Sequence, residues 1–106
     1  MTSSTAAELA AALRAQKALP LFTCGDPVAG GRVLEALHAA GFRIVEFTNR
    51  APGNVDVFRA MAAEAVRRLP GLVLGAGTIL DAAQAEAFHA AGAAFIVAPH
   101  LDEGVG

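Results

Sequence analysis

An acidic, a hydroxyl and a basic side chain lie close together in one short apolar segment of the chain. Residues 43–50 read RIVEFTNR, with Glu46, Thr48 and Arg50 at alternate positions. A carboxylate in such a segment is costly to bury unless it has a partner or a function. Two interpretations are therefore open: a structural Glu46–Arg50 ion pair, or a functional site.

The alternation within this segment predicts where its side chains point in a β-strand. Successive side chains of a strand lie on opposite faces, so we expect Ile44, Glu46 and Thr48 to share one face. Val45 and Phe47 are expected to share the other face and to pack against helices. Arg50 follows just beyond the end of the strand.

Further polar residues follow the next two apolar segments. Residues 75–78 read Gly-Ala-Gly-Thr, where glycine permits close approach of a ligand and Thr78 offers a hydroxyl. A tight turn in which Thr78 begins a helix explains the same residues, and the motif fits neither a dinucleotide fingerprint nor a P-loop. Pro99 and His100 close the fourth apolar segment, where His100 is either an acid or base or a solvated loop residue.

The remaining reactive side chains are interpreted as structural. Cys24 follows the first apolar segment and reads as a small buried thiol, although that position also allows it to face the site. His38 and His89 occupy equivalent places late in two predicted helices, where a cation suits the helix dipole. The spacing of the histidines suggests no metal triad, and no metal or cofactor is predicted.

Helix and strand patterns alternate along the chain and must position these residues. Strands about every 25 residues, separated by helices, predict parallel pairing with right-handed crossovers, which is the α/β class. Helix signals include Asp26-Pro27 as cap and first residue, and Pro52-Gly53-Asn54 as turn and cap. The predicted helices cover residues 5–16, 26–41, 54–69 and 81–91, with a fifth beginning in 101–106, and the strands cover 19–23, 43–48, 72–76 and 95–98.

One heptapeptide pattern occurs twice and supports this assignment. Residues 35–41 read EALHAAG and residues 86–92 read EAFHAAG, and each copy leads into an apolar strand. An open four-stranded sheet would be complete in 106 residues. A parallel (β/α)8 TIM barrel needs at least about 200 residues, and barrel enzymes build their sites at the carboxyl ends of the strands.

We favour the barrel, with residues 1–106 forming its N-terminal half: an N-terminal helix plus βα units 1–4. An isolated half-barrel would expose two strand edges. The chain is therefore expected to be either a fragment, which we favour, or one of two copies that complete each other.

Composition and charge exclude several classes of protein. The formal net charge is −2 with acids and bases interspersed, whereas a nucleic-acid binder shows a basic patch. Apolar stretches are interrupted within about ten residues, and a membrane span takes about 20. The start of the chain lacks signal-peptide features, and a single cysteine favours a reducing cytoplasm. We therefore expect a cytoplasmic protein that binds neither nucleic acid nor membrane.

Three blocks in this order resemble one enzyme family. RIVEFTNR at residues 43–50, LGAGTIL at 74–80 and GAAFIVAP at 92–99 are similar to successive blocks of the 2-keto-3-deoxy-6-phosphogluconate (KDPG) and 4-hydroxy-2-oxoglutarate (KHG) aldolases. The resemblance covers essentially the whole chain. It implies a (β/α) barrel, commonly a homotrimer, without a metal cofactor.

The resemblance also implies an activity and residue roles. Members of the family form a Schiff base between a lysine on the sixth strand and a 2-oxo acid, and they release pyruvate and glyceraldehyde 3-phosphate from KDPG. Carried onto this sequence, Glu46 would be the general acid and base. Arg50 would bind the pyruvyl carboxylate, Thr78 would hydrogen-bond the same region, and Pro99 would shape the pocket floor.

The chain departs from the family at the nucleophile. Its single lysine, Lys17, precedes the first strand and is therefore expected at the amino-terminal side of the barrel, opposite Glu46 and Arg50. We expect no aldolase activity from the 106-residue chain alone. The alternative is a non-catalytic half-barrel that binds a small oxoacid or phosphate, or that assembles with another half.

Overall fold

The computed structural model describes residues 6–97, which alternate between helix and strand. The elements are α1 (Ala6–Gln16), β1 (Leu21–Phe22), α2 (Pro27–Ala39), β2 (Ile44–Thr48), α3 (Asn54–Arg68), β3 (Val73–Gly77) and α4 (Ala82–Ala90). The predicted order is confirmed. The first strand is shorter than predicted, because only two of its residues pair with β2. Within the described residues no helix has the length and apolar character of a membrane span.

The strands form a parallel sheet in the order β1-β2-β3. In its register, Glu46 of β2 lies opposite Leu21 on one side and Gly75 on the other. Of the predicted fourth strand, the described residues form one isolated parallel bridge, between Ile96 and Ala76, and the Val97 N–H donates to the Ala76 carbonyl at 2.8 Å. The α/β class with parallel strands is therefore confirmed.

The repeated heptapeptide folds in the same way in both copies. In α2 and α4 the final turn closes on a glycine with positive φ, 102° at Gly41 and 111° at Gly92. The next amide then bonds back to the helix, Phe42 to the Leu37 carbonyl and Ala93 to the Phe88 carbonyl, at 3.0 Å each. This hydrogen-bond pattern requires a left-handed residue, which glycine adopts at little cost.

Aspartates begin the same two helices. The Asp26 carboxylate accepts from the Ala29 N–H at 3.1 Å, and the Asp81 carboxylate accepts from the Gln84 N–H at 2.8 Å. Both bonds satisfy a backbone donor that the first turn of a helix leaves free. The prediction of Asp26 as the cap of α2 is confirmed.

The core lies between the sheet and helices α2 to α4. Val45 and Phe47 point into it, as the strand alternation predicted. The Phe47 ring is fully buried and contacts three other rings edge-on or tilted, with centroid distances of 5.6 Å to Phe22, 5.7 Å to Phe58 and 6.5 Å to Phe88. The opposite face of β2 is thereby left to Ile44, Glu46 and Thr48.

Helix α1 is attached to the amino-terminal end of β2. The Gln16 side-chain oxygen accepts from the Arg43 and Ile44 N–H groups at 2.9 and 3.0 Å, and its amide donates to the Ile44 carbonyl at 3.0 Å. Lys17 follows Gln16 directly, so it lies at this end of the sheet. Arg50 lies beyond the other end of β2, and Glu46 is the middle residue of the strand.

Candidate functional site

Glu46 is buried on the face of the sheet opposite the helices. It is 6% exposed, and its carboxylate lies against Gly77 of β3, where an added methyl group would overlap it. Gly75 is in a similar position, because the Phe95 ring fills the space that a side chain at residue 75 would take. The glycines of the Gly-Ala-Gly-Thr motif therefore make room for Glu46 and Phe95.

The Glu46–Arg50 ion pair does not form. The ion pairs within residues 6–97 join exposed residues of helices α2 and α3, namely Arg59–Asp56, Arg67–Glu64 and Arg68–Glu35. Arg50 is exposed, and in this part of the chain it pairs with no carboxylate. The structural interpretation of Glu46 and Arg50 as partners is therefore wrong, and no cation from residues 6–97 pairs with the buried Glu46 carboxylate.

Burial raises the pKa of Glu46 above the usual value for glutamate. Removal of the carboxylate from water disfavours its charged form, and in the part of the chain that the structure describes no cation offsets that cost. A carboxyl group with a raised pKa is better suited to exchange protons near neutral pH than an ordinary surface glutamate.

The raised pKa gives a pH-dependent stability. Since the folded pKa lies above the unfolded one, the contribution of Glu46 is fully present below the unfolded pKa of about 4.3 and is lost as the pH rises through the folded pKa. Glu46→Gln cannot ionise. We therefore expect the difference in free energy of unfolding, variant minus original chain, to be more positive at about pH 7.5 than at about pH 4. Urea unfolding at both values measures the difference. Glu64→Gln, an exposed change on α3, is the control, and equal effects of Glu46→Gln at both values would contradict the assignment.

Arg50 and Thr78 border the same cleft. This cleft has a volume of about 470 Å³ and lies where the chain leaves β2 and β3. Asn49, Arg50, Ala51, Pro52, Gly53, Asn54, Val55, Thr78, Leu80, Gln84, Ala87 and Phe88 line it. Glu46 is not among these residues, but its carboxylate reaches Gly77, the neighbour of Thr78. The structure thus places Arg50 and Thr78 in the lining of one cleft, whereas Glu46 lies outside that lining, on the other face of the sheet and against the residue that precedes Thr78.

Thr78 has an unusual backbone conformation. Its φ is 57°, in the left-handed region, which costs a non-glycine residue roughly 1–2 kcal/mol. The preceding residue is fixed by a 2.9 Å hydrogen bond from the Asn49 N–H to the Gly77 carbonyl. The interpretation of Thr78 as the start of a helix is wrong, since α4 begins at Ala82 with Asp81 as its cap. Strained backbone of this kind is concentrated at functional sites.

Asn54 has a role that the sequence did not indicate. The segment Pro52-Gly53-Asn54 is expected to supply the turn and the cap of α3; within it the cap is Gly53, and no side chain bonds to the first turn. The Asn54 side-chain oxygen instead accepts from the Arg50 and Ala51 N–H groups at 2.8 and 2.9 Å. The only available signal was an asparagine within four residues of Arg50 in a turn sequence.

The other candidate residues take structural positions or lie outside the described chain. Cys24 is half-buried beside Met61 on the helix side of the sheet, as a structural thiol would be. A ring nitrogen of His38 lies 2.9 Å from the Pro70 carbonyl, and His89 is exposed. Among residues 6–97, no group of histidine, cysteine and acidic residues is arranged to hold a metal ion. Pro99 and His100 lie outside the described residues, as does the predicted fifth helix in 101–106.

Comparison with known proteins relates this arrangement to one family. The family model described as "KDPG and KHG aldolase" matches residues 9–106. A 2-dehydro-3-deoxy-phosphogluconate aldolase of Zymomonas mobilis is 31% identical over 94 residues, which are 89% of this chain and 43% of that protein. A KHG/KDPG aldolase of Escherichia coli is 41% identical over 69 residues, 65% of this chain and 30% of that protein. The chain thus spans less than half the length of these relatives.

Solved structures show the same relationship. The KDPG aldolase of Zymomonas mobilis with 3-phosphoglycerate superimposes with a TM-score of 0.66 and 32% identity, over 79% of this chain and 38% of that one. The KDPG aldolase of Legionella pneumophila, with pyruvate captured as a covalent carbinolamine, gives a TM-score of 0.70 and 25% identity, over 82% and 40% of the two chains. The three parallel strands and their helices therefore correspond to part of a larger aldolase fold.

Proposed function

Because the chain belongs to the KDPG and KHG aldolase family, we propose that it forms the proton-transfer and carboxylate-binding half of a Schiff-base aldolase. The reaction would cleave 2-keto-3-deoxy-6-phosphogluconate to pyruvate and glyceraldehyde 3-phosphate, and 4-hydroxy-2-oxoglutarate is the second candidate substrate. The observation that carries the proposal is the buried Glu46 carboxylate, which has no cationic partner within residues 6–97 and lies against Gly77, next to Thr78 in the lining of a cleft that Arg50 shares. The trimeric assembly and the cytoplasmic location remain predictions.

Glu46 would move the protons of the reaction. It would protonate the departing hydroxyl of the carbinolamine, which leaves as water and yields the iminium. The resulting carboxylate would take the proton of the C4 hydroxyl as the C3–C4 bond breaks, because the iminium accepts the bonding electrons. Return of that proton to C3 of the enamine would give the iminium of pyruvate and leave Glu46 as the carboxylate. The carboxylate would then take a proton from the water that adds to this iminium, which restores the acid form and releases pyruvate from the lysine. Burial raises the pKa of Glu46, which brings it closer to neutral pH than that of an ordinary glutamate and so favours a role in proton transfer.

Arg50 and Thr78 would hold the substrate carboxylate. The Arg50 guanidinium pairs with no carboxylate within residues 6–97, so it is available to an anion. A guanidinium fork fits a carboxylate bidentately, and such a charged hydrogen bond contributes roughly 1.5–3 kcal/mol. Thr78 lines the same cleft and offers a hydroxyl to the carboxylate or keto oxygen.

The Schiff-base lysine would come from outside residues 1–106. Lys17 is the single lysine of the chain and lies at the amino-terminal end of the sheet. We therefore expect no covalent adduct when the chain is incubated with pyruvate and borohydride. A chimera, in which this chain replaces the matched segment of the Zymomonas mobilis relative, is expected to form the adduct and to cleave KDPG.

Mass spectrometry of both proteins tests the proposal. An adduct on Lys17 in the isolated chain would overturn the placement of the nucleophile. A folded chimera that forms the adduct at the relative's lysine but cleaves nothing would overturn the catalytic role of this half. An inactive chimera of this kind, together with pyruvate binding by the isolated chain, would favour the non-catalytic oxoacid-binding half-barrel instead.

A further inference from the structure

We propose that Asn54 is a positioning residue that fixes Arg50 for recognition of the substrate carboxylate. This inference rests on the proposed function, because it assumes that Arg50 binds a carboxylate. Asn54 is 4% exposed, and each polar atom of its side chain has a partner. Its oxygen accepts two backbone N–H groups, and its amide donates to the Cys24 carbonyl at 3.4 Å.

The two bonds to the Asn54 oxygen hold the peptide planes on either side of Arg50. The N–H of Arg50 belongs to the plane that precedes its Cα, and the N–H of Ala51 belongs to the plane that follows it. Because one oxygen accepts from both, at 2.8 and 2.9 Å, it restricts both backbone dihedrals of Arg50. The direction in which the Arg50 side chain leaves the loop is then set by Asn54.

This restraint matters because the other backbone bonds of the loop lie on either side of Arg50, from the Asn49 N–H to the Gly77 carbonyl and from the Asn54 N–H to the Ala51 carbonyl at 3.2 Å. The loop contains Pro52 and the left-handed Gly53, whose φ is 87°, and the Arg50 side chain is exposed without an ion pair in the described chain. On the upstream side, the Asn49 N–H bonds to the Gly77 carbonyl, which fixes the loop beside Thr78. On the downstream side, Asn54 holds the backbone of Arg50, so both ends of this segment are fixed beside the cleft that Arg50 and Thr78 line.

The long bond from Asn54 to the Cys24 carbonyl serves a different purpose. It joins the loop after β1 to the loop after β2, and at 3.4 Å it is weaker than the two bonds to Arg50 and Ala51. Asn54→Asp keeps the acceptor oxygens and removes this donor. The variant therefore separates the positioning of Arg50 from the tie between the two loops.

A double-mutant cycle on the 106-residue chain tests the inference. Pyruvate binding is followed by NMR titration in the original chain, Asn54→Ala, Arg50→Ala and the double variant, with pyruvamide as the ligand that lacks the carboxylate. We expect Arg50→Ala to weaken pyruvate binding roughly 10-fold to 100-fold. Asn54→Ala is expected to weaken it roughly 10-fold, and the double variant no more than Arg50→Ala, because the two changes act on one contact. Pyruvamide binding should change little in any of them.

Two matched variants separate positioning from folding. Asp56→Ala removes an exposed ion pair in the first turn of the same helix and should leave pyruvate binding unchanged. Asn54→Asp should retain most of the affinity, and it carries the test if Asn54→Ala does not fold. Additive effects of Asn54→Ala and Arg50→Ala, equal losses for pyruvamide, or loss of binding in Asn54→Asp would overturn the inference while the function of Arg50 stands. If Arg50→Ala binds pyruvate as tightly as the original chain, or if the original chain binds none, the carboxylate-binding proposal itself fails, and the role of Asn54 with it.

Discussion

Replacement of Glu46 by Gln is expected to lower the rate of aldol cleavage in the chimera by roughly 10²–10⁴-fold. The amide keeps the shape and burial of the side chain but neither donates nor accepts the proton that the reaction transfers. Arg50 and Thr78 are untouched, so the KM for the 2-oxo acid should change little while kcat falls. Steady-state cleavage of KDPG and a single-turnover borohydride trap measure the two effects.

Gly77→Ala provides an independent test of the same side chain. A methyl group at Gly77 would overlap the Glu46 carboxylate, which is the far end of a flexible side chain and can move aside. We therefore expect the rate to fall although Glu46 is still present. Gly75→Ala is the control on the same strand, because its methyl group would meet the Phe95 ring instead and should affect stability more than rate.

Activity of Glu46→Gln within about tenfold of the unchanged chimera would remove Glu46 from the proton-transfer step.

The face on which Glu46 lies could be predicted from the sequence, because the two-residue period of a strand is a local property. The residues of strand β2 separate as expected, with Phe47 in the helix-covered core and Glu46 on the other face. Helix ends were likewise predictable where the position strongly favours one residue type, as with Asp26 at the start of α2 and Gly41 after its end. Each of these depends on only a few neighbouring residues.

The features that the sequence did not predict depend on contacts between segments distant along the chain. Glu46 lies against Gly77, about 30 residues away along the chain, and not against Arg50. The left-handed backbone of Thr78 depends on the anchoring of Gly77 by Asn49. A pattern of residue types carries no information about such pairings until the register of β2 against β3 is known.

Asn54 shows why a turn sequence can mislead. Asparagine is a common helix cap and also a common acceptor for neighbouring backbone amides in loops. The two roles use the same oxygen and differ only in the course of the preceding loop. Because Gly53 adopts a left-handed conformation, the oxygen of Asn54 meets Arg50 and Ala51 rather than the first turn of α3.

Replacement of Phe47 by Ala is expected to have the largest effect on stability, a loss of about 3–5 kcal/mol in the free energy of unfolding. The ring is 0% exposed and lies at the centre of the aromatic cluster with Phe22, Phe58 and Phe88. Truncation removes these contacts and leaves a cavity that the sheet and helices cannot fill. Urea unfolding of the chain, followed by far-UV circular dichroism, measures the change.

Val66→Ala is the control, since Val66 is 49% exposed on α3 and its truncation should cost no more than about 0.5 kcal/mol. A loss of less than about 1 kcal/mol for Phe47→Ala would place the centre of the core elsewhere.

Phe47 and Glu46 are adjacent residues whose side chains lie on opposite faces of β2. Phe47→Ala should therefore destabilise the fold, whereas Glu46→Gln should stabilise it near neutral pH and abolish proton transfer. The opposite signs arise because one face of the strand buries an apolar ring in the core and the other buries a carboxylate for which the described chain offers no cation.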